Sequence, residues 1–193
     1  MKKEIEAAFP SIDKDSMRKQ LKESGFEMEI PEYMMQRKAF DFPVVPVGHS
    51  KWARVRKESG KITMTIKDIY GPGINDIFET ELQINDFETG VEFLKSCGLI
   101  EKAFQESLRE TWRRGEVEAV IDTWPGINPF LEIEGSDEET VRAASAELGL
   151  DFSKAVFGPV GNIYERELGI PEKVVNQMPE ITFANPPKGQ VST

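Results

Sequence analysis

The chain has 193 residues, 39% of them apolar and 30% charged, with 34 acidic against 24 basic side chains for a net charge of -10. That length holds one full-sized domain with a substantial core, and the acidity argues against a general nucleic-acid surface or an anionic membrane as partner. One cysteine, Cys97, and one histidine, His49, leave too little for an internal disulfide, a zinc cluster or a Ser-His-Asp triad.

The N-terminus is polar, with Lys2, Lys3, Glu4 and Glu6, so no secretory signal is expected; with the single cysteine this agrees with a reducing, cytoplasmic setting. No apolar run approaches the ~20 residues of a membrane-spanning helix. Glu4 and Glu6 stand at i and i+2, which on a β-strand puts both carboxylates on one face and Ile5 and Ala7 on the other. Ser11 or Asp13 then caps a helix that Gly25 closes.

A strand is expected near Met34 to Phe42, followed by a loop rich in turn formers from Pro43 to Ser50. Two basic strands come next, one carrying Arg54 and Arg56, the other Lys61, Thr63, Thr65 and Lys67, with Gly60 as the turn between them. After a break at Gly71 to Gly73, Glu79 and Glu81 repeat the acidic alternation. Asp86 caps a helix through Phe87, Val91 and Leu94, and Gly98 stops it; at that helix end Cys97 reads as a buried or half-buried structural thiol.

A hairpin turning at Gly115 links Arg109 to Trp112 with a strand ending in Asp122, and Trp124 to Gly126 makes the next break. Phe130, Glu132 and Glu134 form the last acidic strand, with Ser136 as the cap of a helix through Val141, Ala144 and Leu148. A short helix spans Gly161 to Leu168. Beyond it residues 171–193 form a proline-bearing extension, strand-like only from Ile181 to Phe183, whose last nine residues are expected to be mobile.

The fold expected from this pattern is α+β: about eight antiparallel strands, closed or nearly closed into a barrel, with three or four helices packed outside. If the apolar strand faces meet the helices, the charged faces line the inside, and eight strands suffice to hold a small ligand. The plainer alternative is a sheet with one solvated charged face. Against it stands the sorting of charge, since most of these strands carry one sign only.

The ordered set of Glu4 and Glu6, Arg54 and Arg56, Thr65 and Lys67, Glu79 and Glu81, Arg109, Asp122, and Glu132 and Glu134 resembles the CYTH superfamily, the triphosphate tunnel metalloenzymes typified by class IV adenylyl cyclase and thiamine triphosphatase. The likeness runs from Glu4 to about Leu168. It implies a tunnel domain over residues 1–170, with Glu4, Glu6, Asp122, Glu132 and Glu134 as ligands of Mg²⁺ or Mn²⁺. It also implies that Arg54, Arg56, Lys67 and Arg109 hold a triphosphate, with Glu79 and Glu81 in the same lumen. Hard divalent cations take oxygen ligands, and arginine forks pair with phosphate oxygens.

Two positions depart from the family pattern. Ala8 replaces the lysine of the Glu-x-Glu-x-Lys motif, and Ser107 stands near a position where a second basic residue is common; Lys38 is one candidate to compensate. A lost ammonium removes charge that stabilises the transferring phosphoryl group.

Three functions therefore stay open. The first is a metal-dependent phosphohydrolase acting on a linear triphosphate, and the second an adenylyl cyclase making cyclic AMP and pyrophosphate. The third is a binding module without turnover. Trp52, Phe40 and Phe130 are the aromatic candidates for stacking on a base, and a monomer or homodimer binding one small triphosphorylated ligand is expected.

Overall fold

A computed structural model describes residues 1–189. Its centre is one sheet in which β1 (Lys2–Glu4), β6 (Ile77–Ile84), β5 (Ile62–Ile69), β4 (Ser50–Lys57), β3 (Glu27–Asp41), β7 (Ile100–Arg114), β8 (Val117–Thr123), β9 (Phe130–Glu134) and β2 (Glu6–Phe9) are neighbours in that order. All of these pairings are antiparallel. β1 and β2 are one N-terminal strand interrupted at Ile5, so its first half closes on β6 and its second on β9. The barrel is thereby nearly closed, with nine strand segments on the path where eight strands were expected. The difference is the break at Ile5, whose carbonyl accepts from Gly135 N at 3.1 Å.

Helices cover the outer, apolar strand faces. In α1 (Lys14–Glu23), Asp13 is the N-cap and accepts from Ser16 N at 2.9 Å; Gly25 ends the helix at φ 77°. Met17 and Leu21 of α1 join Val141 and Ala144 of α3 (Glu138–Glu147) and its C-cap Leu148 over Ala7, Ala119, Ile121, Leu131 and Ile133. The cap of α3 is Asp137, accepting from Thr140 N at 2.7 Å, and not Ser136 as expected. Phe87, Val91 and Leu94 of α2 (Phe87–Ser96) pack on Phe40, Ala53 and Val55. Fully burying such a side chain contributes roughly 1.5–3 kcal/mol.

A third apolar cluster fills one end of the barrel. Ile163 and Tyr164 of α4 (Gly161–Leu168) and Val175 of α5 (Glu172–Val175) meet Ala8, Trp124, Phe130 and Ile181 there. Tyr164 Oη donates to Pro125 O at 2.6 Å. Between residues 171 and 189 the chain returns to the barrel: β10 (Glu180–Ile181) pairs in parallel with β7. The mobility expected of the last nine residues falls partly on 190–193, outside the described residues. Within residues 185–189 Pro187 is buried, its carbonyl so close to Gly126 (φ 84°) that a Cβ there would stand 2.7 Å away.

β3 and β7 extend well beyond the expected strands and pair over most of their length. Pro31 lies inside a register shift between Ile30 and Tyr33, where the ladder needs no amide from it. Cys97 is exposed, in contrast to its expected burial, because it is the C-cap of α2 and follows the packed face.

Candidate active site

Strand alternation sends the charged faces inward around a cavity of about 420 Å³, lined among others by all eleven residues named for the site: Glu4, Glu6, Arg54, Arg56, Lys67, Glu79, Glu81, Arg109, Asp122, Glu132 and Glu134. Register explains the convergence. Arg54 and Arg56 face Thr65 and Thr63 across β4 and β5, while Thr65 and Lys67 face Glu81 and Glu79 across β5 and β6. Tyr33 faces Arg109, Arg109 faces Asp122, and Glu6 faces Glu134 across the other pairs.

Opposite charges are interleaved rather than divided into two halves. Lys67 Nζ lies 2.6 Å from Glu4, 3.7 Å from Glu6 and 3.6 Å from Glu79. Arg56 pairs with Glu58 at 2.8 Å and Glu81 at 3.3 Å, and Arg54 approaches Glu79 at 3.8 Å. Arg109 grips Asp122 through two nitrogens, at 2.7 and 2.6 Å, and donates to Glu132 at 2.9 Å. Glu118 also lines the cavity and pairs with Arg113.

These surroundings set the carboxyls apart. Burial works against ionisation of Glu4, but Lys67, with Arg54 and Arg109, outweighs it and leaves the group below its usual range. Glu6 is pushed up to about 8, by burial first, with Glu4, Glu132 and Glu134 adding against the opposing pull of Lys67. Burial and then Asp122 raise Glu132; burial and then Glu4 raise Glu134. Burial is the first cause in all three, and their oxygens suit a hard divalent cation. Among the described residues no three stand ready as a ligand set. The reason is the ion pairing: Glu4 is drawn to Lys67, and Asp122 and Glu132 to Arg109, so metal binding requires these pairs to loosen. The Nε of Arg54 is buried without a hydrogen-bond partner among the described residues, a donor available to an anion.

Other expectations are corrected. Lys38 points outward and pairs with Glu101 at 3.1 Å, so it does not stand in for the missing lysine. Phe40 lies in the outer core beneath α2 and Phe130 in the apolar plug, both fully buried; only Trp52 of the three aromatic candidates lines the cavity. Ala8 is part of the plug. Sequence reasoning missed Arg37, Glu58, Tyr33 and Trp124, all of which line the lumen. For Arg37 a signal existed, since alternation through Tyr33, Met35, Arg37, Ala39 and Asp41 puts it on one face.

The fold and parts of the sequence match known proteins. The CYTH domain profile matches residues 40–156. A Methanocaldococcus jannaschii protein named as a candidate adenylate cyclase is 30% identical over 138 residues, covering 69% of this chain and 77% of that protein. Among solved structures, a candidate adenylate cyclase from Vibrio parahaemolyticus superposes with a TM-score of 0.68 at 18% identity, covering 85% of this chain and 98% of that one. A Hippeastrum protein, described as a candidate adenylyl cyclase with a dominant triphosphatase activity, gives 0.53 at 14% identity, covering 80% and 90%. With its profile match spanning more than half the chain and its charged barrel lumen, the protein belongs to the CYTH family.

Proposed function

We propose that the protein is a divalent-metal-dependent phosphohydrolase that binds a linear triphosphate inside the tunnel. The observation that carries this is the lumen itself: arginines and a lysine face a cluster of carboxylates whose raised pKa values call for a cation, with the Arg54 Nε–H left unpaired. Glu4, Glu6, Glu132 and Glu134, with Asp122, would hold Mg²⁺ or Mn²⁺. The bound ion would supply charge neutralisation at the phosphoryl oxygens.

In this reading Arg54 and Arg56 fork the phosphate oxygens and hold the chain in line for attack. Lys67 exchanges Glu4 for a phosphate oxygen. Water adds to the terminal phosphorus as the phosphoanhydride bond breaks, and diphosphate leaves with the bond's electron pair. The water's proton passes to solvent.

A second reading, cyclisation of ATP, is favoured by the name of the Methanocaldococcus relative and by Trp52, which lines the cavity as a surface for a base. In it the ribose 3′-hydroxyl attacks the α-phosphorus and pyrophosphate leaves. The setting proposed is the cytoplasm, with a monomer or homodimer as the working unit; the support is the single cysteine and the absence, among the described residues, of any helix long and apolar enough to cross a membrane.

The test is incubation with Mg²⁺ or Mn²⁺ and either tripolyphosphate or ATP, with products separated by ion-exchange chromatography. Phosphate release supports hydrolysis, and cyclic AMP with pyrophosphate supports the cyclase. Metal-dependent binding without turnover leaves a binding module. The absence of both turnover and any ligand-dependent rise in melting temperature refutes the triphosphate reading altogether.

A further inference from the structure

Arg37 on β3 is 5% exposed and faces the lumen. Each of the other lumen cations described above has a carboxylate within 4.0 Å: Arg54 has Glu79, Arg56 has Glu58, Lys67 has Glu4 and Arg109 has Asp122. Arg37 has none among the described residues. Its Nη2 donates to the hydroxyl of fully buried Ser107 and lies 3.2 Å from the Met35 sulfur, its Cζ sits 4.4 Å from the centroid of the Trp124 ring, and its Nε–H has no partner.

A hydroxyl, a thioether and an indole face solvate a guanidinium without neutralising it. Burial first, then Arg54 and Arg56, work against its charge, yet a guanidinium whose ordinary pKa lies above about 12 remains protonated in proteins. A buried cation without a counter-ion is costly to the fold unless an anion completes it. The position selects the anion: the site is beside Arg54 and Arg56, where a carboxylate ligand would meet more charge than it carries and a phosphate group would not.

We propose that Arg37 is a substrate-binding residue of the tunnel, gripping the phosphate group that lies nearest the α4 and α5 plug. The assignment rests on the triphosphate reading and adds a residue to it. It also gives physical sense to the two departures in the sequence. Ser107 takes the hydrogen bond from Arg37 where a basic side chain would repel it, and Ala8 belongs to the apolar cluster that includes Trp124, on which Arg37 stacks.

The experiment is calorimetric titration of tripolyphosphate, with Mn²⁺ present, into wild type, Arg37→Met and Arg37→Lys, alongside thermal melts of each without ligand. Arg37→Met is expected to bind about tenfold to a hundredfold more weakly, the loss of one charge-assisted hydrogen-bonding partner. Its ligand-free melting temperature should stay level or rise, because an uncompensated buried charge has been removed. Arg37→Lys should fall between, keeping the charge but losing the fork. If Arg37→Met binds as tightly as wild type, or if its ligand-free melting temperature drops along with affinity, Arg37 is a structural residue and the proposal is wrong. If wild type itself fails to bind tripolyphosphate, the triphosphate reading falls first and this assignment with it.

Discussion

Replacing Arg109 by methionine removes the clamp that holds the acidic side of the tunnel together. Its nitrogens donate to both oxygens of Asp122, at 2.7 and 2.6 Å, and to Glu132 at 2.9 Å, while Asp122 is only 1% exposed. Methionine fills much of the side-chain stem but leaves a buried carboxylate without a partner, which costs about 3–5 kcal/mol. For a chain of this size that corresponds to a melting temperature lower by roughly 6–20 °C. Adding Asp122→Asn should recover at least about 1 kcal/mol, since the orphaned charge goes with it. On the proposed metal-binding reading a divalent cation would neutralise the same oxygens, so saturating Mn²⁺ should raise the melting temperature of Arg109→Met by more than that of wild type. Thermal melts in chelator and then in Mn²⁺, on the two variants and wild type, read all of this. An Arg109→Met protein that melts within about 2 °C of wild type would refute the reasoning, as would an equal Mn²⁺ response in both.

Glu6 predicts a pH dependence. Its folded-state pKa, pushed up to about 8 by burial and by Glu4, Glu132 and Glu134, lies above the ordinary 4.5, so the neutral form favours the fold. The stability it contributes is complete below pH 4.5 and is lost as pH rises through about 8, at up to ~1.4 kcal/mol per pH unit. Glu6→Gln should flatten that slope in denaturant titrations run in chelator at several pH values, and an unchanged slope would sink the assignment. Ala8→Lys places an ammonium in the cluster of Trp124, Phe130, Ile163 and Tyr164, so it should destabilise by about 1–3 kcal/mol and leave tripolyphosphate affinity no higher. A gain in affinity or turnover would show that position 8 opens to the lumen after all.

The site was legible wherever alternation and charge coincided. Glu4 with Glu6, Arg54 with Arg56 and Glu132 with Glu134 are pairs at i and i+2, and such pairs share a face whatever the partner strand. All of them line the cavity. Arg37 and Lys38 show the limit: they are adjacent cations, and only the pairing of β3 with β4 and β7 decides that Arg37 turns inward and Lys38 outward to Glu101. The first half of β3 was missed for a related reason. From Glu27 to Met35 it pairs with β7 but not with β4, and it carries polar residues on both faces, so no apolar stripe marks it.

By itself the sequence determined the elements with a local cause. Asp13 and Asp86 cap their helices, Gly25 and Gly115 carry the positive φ of their turns, and two-residue periodicity marks the charged faces. Tertiary structure alone decided which charges meet. The break at Ile5 lets one strand close both edges of the barrel, the plug of α4 and α5 takes Phe130 and Ala8 out of the site, and packing leaves Arg37 as a buried cation without a carboxylate among the described residues. The physical reason is one of range. Caps and turns are settled within a few residues, whereas ion pairing and burial depend on side chains far apart in sequence, such as Lys67 and Glu4 or Arg37 and Ser107, that only the closed sheet brings together.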